Sequence, residues 1–281
     1  MAKTKKLFAS LTRRGPHRVL RGDLAFAGLP GTVYTPESGL NLPAIAFGHD
    51  WLASAHRYDG LLEHLASWGI VAAAPNTERS IAPSVLNLAF DLGSTLDIVS
   101  GVRLGTGQIS VHPTKLGVVG HGFGGSAAVF AAAGMPNRLK AVAALFPSVS
   151  SPPAVQPASS LRVPGLILAD PGDPMSLRSN AVELARVWRP ATLRAVKDVT
   201  AGGIVEGRRL ARLIKMPGAD KGTQKIVRAL LTGYLLAELA DDKTYREFAD
   251  GEAALPKTEV LDPFADDAVD IENKVVALLK P

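Results

Sequence analysis

A short apolar segment, Leu116 to Val119, runs without a spacer into Gly120-His121-Gly122-Phe123-Gly124-Gly125 and then into an alanine-rich stretch, Ser126 to Ala133. That order constrains the chain more than any other feature. An apolar strand, a turn of glycines and a small-residue helix describe a strand and a helix that pass too close for side chains between them. Two chemistries use such a turn. In one, Gly-x-Ser-x-Gly, the middle residue is lifted above the sheet as a nucleophile. In the other, Gly-x-Gly-x-x-Gly, the turn cradles a dinucleotide. Gly120-x-Gly122-x-x-Gly125 satisfies the second spacing, but that motif calls for an acid about twenty positions later to hold a ribose. The next apolar run ends Ala144-Leu145-Phe146-Pro147-Ser148, and no Asp or Glu occurs between Asp97 and Asp170. Dinucleotide binding is therefore the remote alternative.

Similar apolar runs recur on either side. His17 to Tyr34 alternates around glycine and proline turns and predicts opening antiparallel strands. Pro43–Phe47, Ile70–Ala74, Ala141–Phe146, Gly165–Ala169 and Ala191–Val196 predict buried strands, the last of them closing the sheet. Helices are predicted between them: one carrying Tyr58, Leu61, Leu62, Leu65 and Trp68 and stopped by Gly69, one from Pro83 to about Leu104, and one over about 177–187. Beyond 200 the pattern is helical, over about 205–216, over 223–239 with Thr223 as N-cap, in a turn near Tyr245, and over about 265–279. Strands alternating with helices imply an α/β fold, a mostly parallel sheet covered on both faces with antiparallel strands at its start. The polar, proline-rich stretch 148–160 reads as a surface loop within one domain, 17–281.

Composition removes several functions. The chain of 281 residues has no cysteine, which excludes disulfides, thiol nucleophiles and Cys-ligated metals and fits a cytoplasmic setting. No apolar run reaches spanning length. The net charge of +5 is uneven: residues 1–21 carry seven cations and no acid, leaving the remainder at about −2. Nucleic acid is thus not an expected partner. Residues 1–16 read as a basic, solvated arm. Its Leu7, Phe8 and Leu11 share a helical face, which offers an alternative role at an anionic membrane surface or a protein partner through residues 3–21.

From about residue 30 to 250 the chain resembles α/β-hydrolases of the dienelactone-hydrolase-like and cutinase-like polyester-hydrolase branch. The resemblance is carried by Gly31-Thr32-Val33-Tyr34-Thr35-Pro36, Phe47-Gly48-His49-Asp50-Trp51, Leu65-Ala66-Ser67-Trp68-Gly69-Ile70-Val71, Gly120 to Gly125, Val163 to Asp173 and Tyr245-Arg246-Glu247-Phe248, in that order. It implies an α/β-hydrolase fold with an oxyanion loop at His49–Trp51, a nucleophile at 122, an acid at Asp173 (Asp170 being the second choice) and a histidine near Thr200–Gly202, at about Ala201, or in another register at Lys221. The residue at 122 is glycine, and the six histidines, 17, 49, 56, 64, 112 and 121, all precede it.

A glycine has no atom with which to attack, and an acid without an imidazole to orient is only a carboxylate on a loop. The expectation is a non-catalytic pseudo-hydrolase that binds an acyl or ester ligand or a partner. Trp51, Phe123, His49, Asp50 and His121 are its expected ligand contacts. The backbone N–H groups of Trp51 and Phe123 would hold an anion or carbonyl independently of any side chain. Ser126 is expected to cap or pack, His121 to pack, and His112 to lie in a solvated turn. No His/Asp/Glu spacing suggests a metal, and no cofactor is expected. The alternative is an atypical esterase working without serine. The setting read from the sequence is cytoplasmic, or peripheral at a membrane.

Overall fold

The structure is a computed structural model that describes residues 2–171, 178–207 and 219–264. Its centre is a nine-stranded sheet in the order β1-β2-β4-β3-β5-β6-β7-β8-β9. The strands are β1 (Val19–Asp23), β2 (Gly31–Pro36), β3 (Gly39–Gly48), β4 (Val71–Pro75), β5 (Ile109–His121), β6 (Ala141–Leu145), β7 (Gly165–Ala169), β8 (Ala191–Val196) and β9 (Thr258–Val260). β2 runs antiparallel to β1 and β4, the ladder from β4 through β8 is parallel, and β9 returns antiparallel on β8. The fold class is therefore α/β with a mixed, mostly parallel sheet.

Two apolar cores follow from the period-2 alternation of the strands. Ile45, Phe47, Ala72, Val119, Leu145 and Leu168 face α1 (Ala2–Leu11), α2 (Asp59–Ser67) and α7 (Lys221–Glu238). Ala44, Ala46, Val71, Val118, Ala144 and Ile167 face α3 (Val85–Gly101), α4 (Phe123–Gly134), α5 (Val155–Ala158) and α6 (Ala181–Val187). Burial on both faces is what makes the central strands read as continuous apolar runs. Among the described residues no helix is long and apolar enough to cross a membrane.

Several expectations are corrected. Ala191–Val196 is not the last strand: β9, only three residues long and without an apolar run, covers its edge. The strand expected at 116–119 begins at Ile109, so His112 lies within β5 and not in a turn, its Nδ1 accepting from Thr114 N at 3.2 Å. Pro113 is tolerated there because it sits where the ladder with β3 shifts register, between the pairs made by Val111 and Leu116. The cap of α7 is Asp220, not Thr223. Its carboxylate accepts from Gly222 N and Thr223 N, and the Thr223 hydroxyl donates to it as well. The loop 148–160 contains the single turn α5, pinned by buried Ala154 and Ala158. Residues 205–207 are not helical; the rest of the helix expected over 205–216 falls at 208–216, outside the described residues, as does the helix expected at 265–279.

The basic N-terminal segment departs most from expectation. Instead of a solvated arm it forms α1, which packs against α7 with Phe8 and Leu11 buried. The Thr4 hydroxyl donates to the Glu247 carboxylate. The apolar face seen in the sequence is thus used internally, and Lys3, Lys5 and Lys6 remain exposed. Below α1, His64 of α2 is buried with its Nε2 unpaired among the described residues. Burial, and then the Arg228 guanidinium, push His64 down to about 4. The unfolded chain takes this proton at its ordinary value near 6.5, so stability present above that value is lost as pH falls towards 4. Urea denaturation is expected to show a loss of about 2 kcal/mol from this group between about pH 7 and about pH 5, absent in His64→Gln. The charge that acts on His64 is the Arg228 guanidinium, which is itself 2.8 Å from Glu206 Oε1. An equal loss in the variant would assign the effect elsewhere.

Candidate functional site

The parallel strands deliver their carboxyl ends to one edge, the position where open α/β sheets carry ligands. β5 ends there at His121 and passes directly into α4. Between them Gly122 has φ 53° and ψ −117°, a conformation that side-chain-bearing residues rarely hold. Gly122 N donates to Leu145 O at 3.0 Å, and its carbonyl accepts from Gly125 N and Ser148 N. The neighbouring glycines are required for a different reason. A Cβ on Gly120 would lie 1.9 Å from Gly124 O, and one on Gly124 would lie 2.2 Å from Gly48 O. The first turn of α4 is pressed against β3 and β5 backbone to backbone.

In front of Gly122 stands a carboxylate. A Cβ at 122 would meet Asp50 Oδ1 at 2.1 Å. That same oxygen accepts the Phe123 N–H at 3.0 Å. The expected open donor at Phe123 is therefore already occupied by an anion from the loop after β3. This corrects the expectation that the donor stands ready for a ligand. The physical reason is direct: glycine at 122 vacates side-chain space, and the first N–H of a helix attracts a carboxylate.

The loop that carries Asp50 is tied down on three sides. Asp50 N donates to the Tyr58 hydroxyl at 3.1 Å, and that hydroxyl is in hydrogen-bond contact with His121 Nδ1 at 2.8 Å. His121 is buried, edge-on to Tyr58 and Phe146. His49 is fully buried, with Nδ1 3.0 Å from Asp50 O and Nε2 2.7 Å from Thr77 O. Thr77 in turn donates to Asp91 Oδ2 on α3. The His49 ring is thus engaged by two backbone carbonyls and the His121 ring by the Tyr58 hydroxyl. Trp51 lies at the surface, its indole N–H on Ile81 O at 3.0 Å.

The remaining candidates are dispersed. Ser126 is fully buried, donates to Ser148 O at 2.5 Å and accepts from Asn180 Nδ2 at 3.3 Å, so its hydroxyl is engaged in packing. Asp173 lies outside the described residues; β7 ends at Ala169, and Asp170 follows it. The position expected for histidine is a single 3-10 turn, Ala201–Ile204, beyond β8. Lys221 is the exposed first residue of α7. Among the described residues no group of three or more His, Asp or Glu side chains is placed to hold a metal. Tyr58 was legible in the sequence only as one apolar position of a helix. Its hydroxyl contacts depend on Asp50 and His121, eight and sixty-three residues away.

No family model matches this chain, and no curated protein matches it significantly.

Proposed function

We propose that this chain is a non-catalytic protein of the α/β-hydrolase fold, of the dienelactone-hydrolase-like or cutinase-like kind, that acts by binding. The observation that carries the reading is the Asp50 carboxylate, which fills the space before Gly122 and takes the Phe123 N–H. The antiparallel opening strands and the positive-φ turn from β5 into α4 support the fold assignment. A serine hydrolase needs an oxygen nucleophile, a base and an N–H for the developing oxyanion. Here the first is absent, no histidine follows residue 121 to supply the second, and an internal anion holds the third. What remains is a buttressed crest suited to an acyl or ester ligand that displaces Asp50. The exposed cations of α1 and the following segment are the surface proposed for an anionic membrane or a protein partner, in a cytoplasmic setting. This choice of ligand class rests on fold analogy.

The competing reading is an esterase in which Asp50 activates water, and it draws on the same carboxylate. Both are tested with p-nitrophenyl acetate and butyrate. The expected result is turnover no faster than buffer for the native protein, Asp50→Asn and Asp173→Asn alike. Asp50→Ala, which releases the Phe123 N–H, is expected to bind butyrate more tightly than the native protein does. Protein-dependent turnover that collapses in Asp50→Asn or Asp173→Asn would overturn the non-catalytic reading.

A further inference from the structure

The carboxyl edge of the sheet carries a second concave feature, three strands from Gly122. A cleft of about 480 Å³ is lined by Arg21, Asp23, Thr32, His56 and Asn76, together with small residues of β1, β2 and the turn between them. Gly31 pairs with Pro75 at the end of β4, which fixes the cleft to the same edge as Gly122. Two larger cavities, of about 630 and 590 Å³, share Lys140, which precedes β6 and so lies at the opposite edge. Position therefore favours the smaller cleft as a ligand site.

Its lining is a set of donors brought from four separate segments. Arg21 Nη2 donates to His56 Nδ1 at 3.1 Å and lies 3.9 Å from Asp59 Oδ2. The guanidinium also stands over the Tyr34 ring, 5.9 Å from its centre. Arg21 is thus held in place, which lowers the ordering cost of using its remaining N–H groups. Because His56 Nδ1 accepts from Arg21, the ring proton belongs on Nε2, a further donor. Asn76 Oδ1 accepts from Ala55 N at 3.1 Å, which leaves its NH₂ to donate. The Thr32 hydroxyl is buried and has no hydrogen-bond partner among the described residues. One acceptor balances them. Asp23 spends Oδ1 on Ala25 N, and its second oxygen remains.

A planar carboxylate is saturated by one guanidinium fork, whereas a tetrahedral oxyanion with three terminal oxygens can use a fork, an imidazole N–H and an amide together. The volume is several times that of a bare phosphate, so the ligand has a body, and the Asp23 oxygen suits a hydroxyl on it. We infer that this cleft binds a phosphate monoester carried on a small hydroxylated body, the phosphate on Arg21, His56 Nε2 and Asn76, the hydroxyl on Asp23. The site is independent of the crest at Gly122 and does not rest on the non-catalytic reading.

The test is titration of the full chain with glycerol 3-phosphate, inorganic phosphate, glycerate and glycerol, followed by calorimetry and by the His56 ring resonances. Saturable binding is expected with glycerol 3-phosphate, weaker binding with inorganic phosphate, and none with glycerol. The His56 signals should move on binding. Arg21→Gln and His56→Ala should each weaken binding about tenfold or more, the scale of one charge-assisted hydrogen bond. His56 is half exposed, so His56→Ala decides the matter should Arg21→Gln fail to fold. Glycerate binding as tightly as glycerol 3-phosphate, unmoved His56 signals, unchanged affinity in His56→Ala, or no binding of either phosphate would each overturn the proposal.

Discussion

Gly124→Ala is expected to abolish stable folding, while Gly134→Ala in the same helix stabilises the protein. The added methyl at 124 would stand 2.2 Å from Gly48 O, 2.3 Å from Gly48 C and 2.6 Å from His49 O. All three are backbone atoms of β3 and the residue after it, so no side chain can move aside. Relief requires α4 to lift from the sheet, which separates Ala127, Ala128 and Ala131 from their core. Overpacking against an immovable wall costs more than about 3 kcal/mol. At Gly134 nothing lies within 4 Å of the added atom, and alanine gains roughly 0.5–1 kcal/mol over glycine in a helix. Thermal or urea unfolding of both variants settles the matter, and equal effects would mean that the contact between α4 and β3 is looser than described.

The second large effect is at the crest. Gly122→Ser is expected to lower stability by about 3 kcal/mol and to yield no ester turnover. One part is backbone strain at φ 53°, about 1–3 kcal/mol. The other is collision with Asp50 Oδ1, which must leave the Phe123 N–H to make room. Strain stays whatever stands at 50, but the collision does not. Asp50→Ala should therefore recover about 1–2 kcal/mol in the Gly122→Ser background, measured as a coupling energy in a double-mutant cycle. Additive effects would show that the two residues do not share this space. Turnover by Gly122→Ser alone would reveal a base near Gly122 that the geometry does not provide.

The parts of the fold legible in the sequence were those governed by local pattern. Ile45 and Phe47 alternate with Ala44 and Ala46 because successive strand residues face opposite cores. Gly69, at φ 89°, stops α2 as its position after Trp68 suggested. The turn from β5 into α4 was readable for the same reason, its glycines being near neighbours in sequence and pressed together in space. β9 was not readable, because three residues carry no period and its pairing joins distant residues, Val196 to Thr258 and Arg194 to Val260. Thr223 matched a cap by residue type, but α7 begins earlier, and its first N–H groups, those of Gly222 and Thr223, go to the Asp220 carboxylate. Only geometry shows that the carboxylate wins and the hydroxyl supports it.

Function divides along the same line. That residue 122 is glycine and that no histidine follows 121 are properties of the sequence, and they bear on the serine mechanism through the proposed hydrolase fold, which would set the nucleophile at 122 and the histidine after it. Three features required the assembled chain: the burial of Phe8 and Leu11 under α7, the Asp50 carboxylate set before Gly122, and the convergence of Arg21, Thr32, His56 and Asn76 on one cleft. Each joins residues tens to hundreds of positions apart. A one-dimensional pattern records which groups a chain owns, but the partner that satisfies each of them is chosen only when the sheet brings its strand ends together.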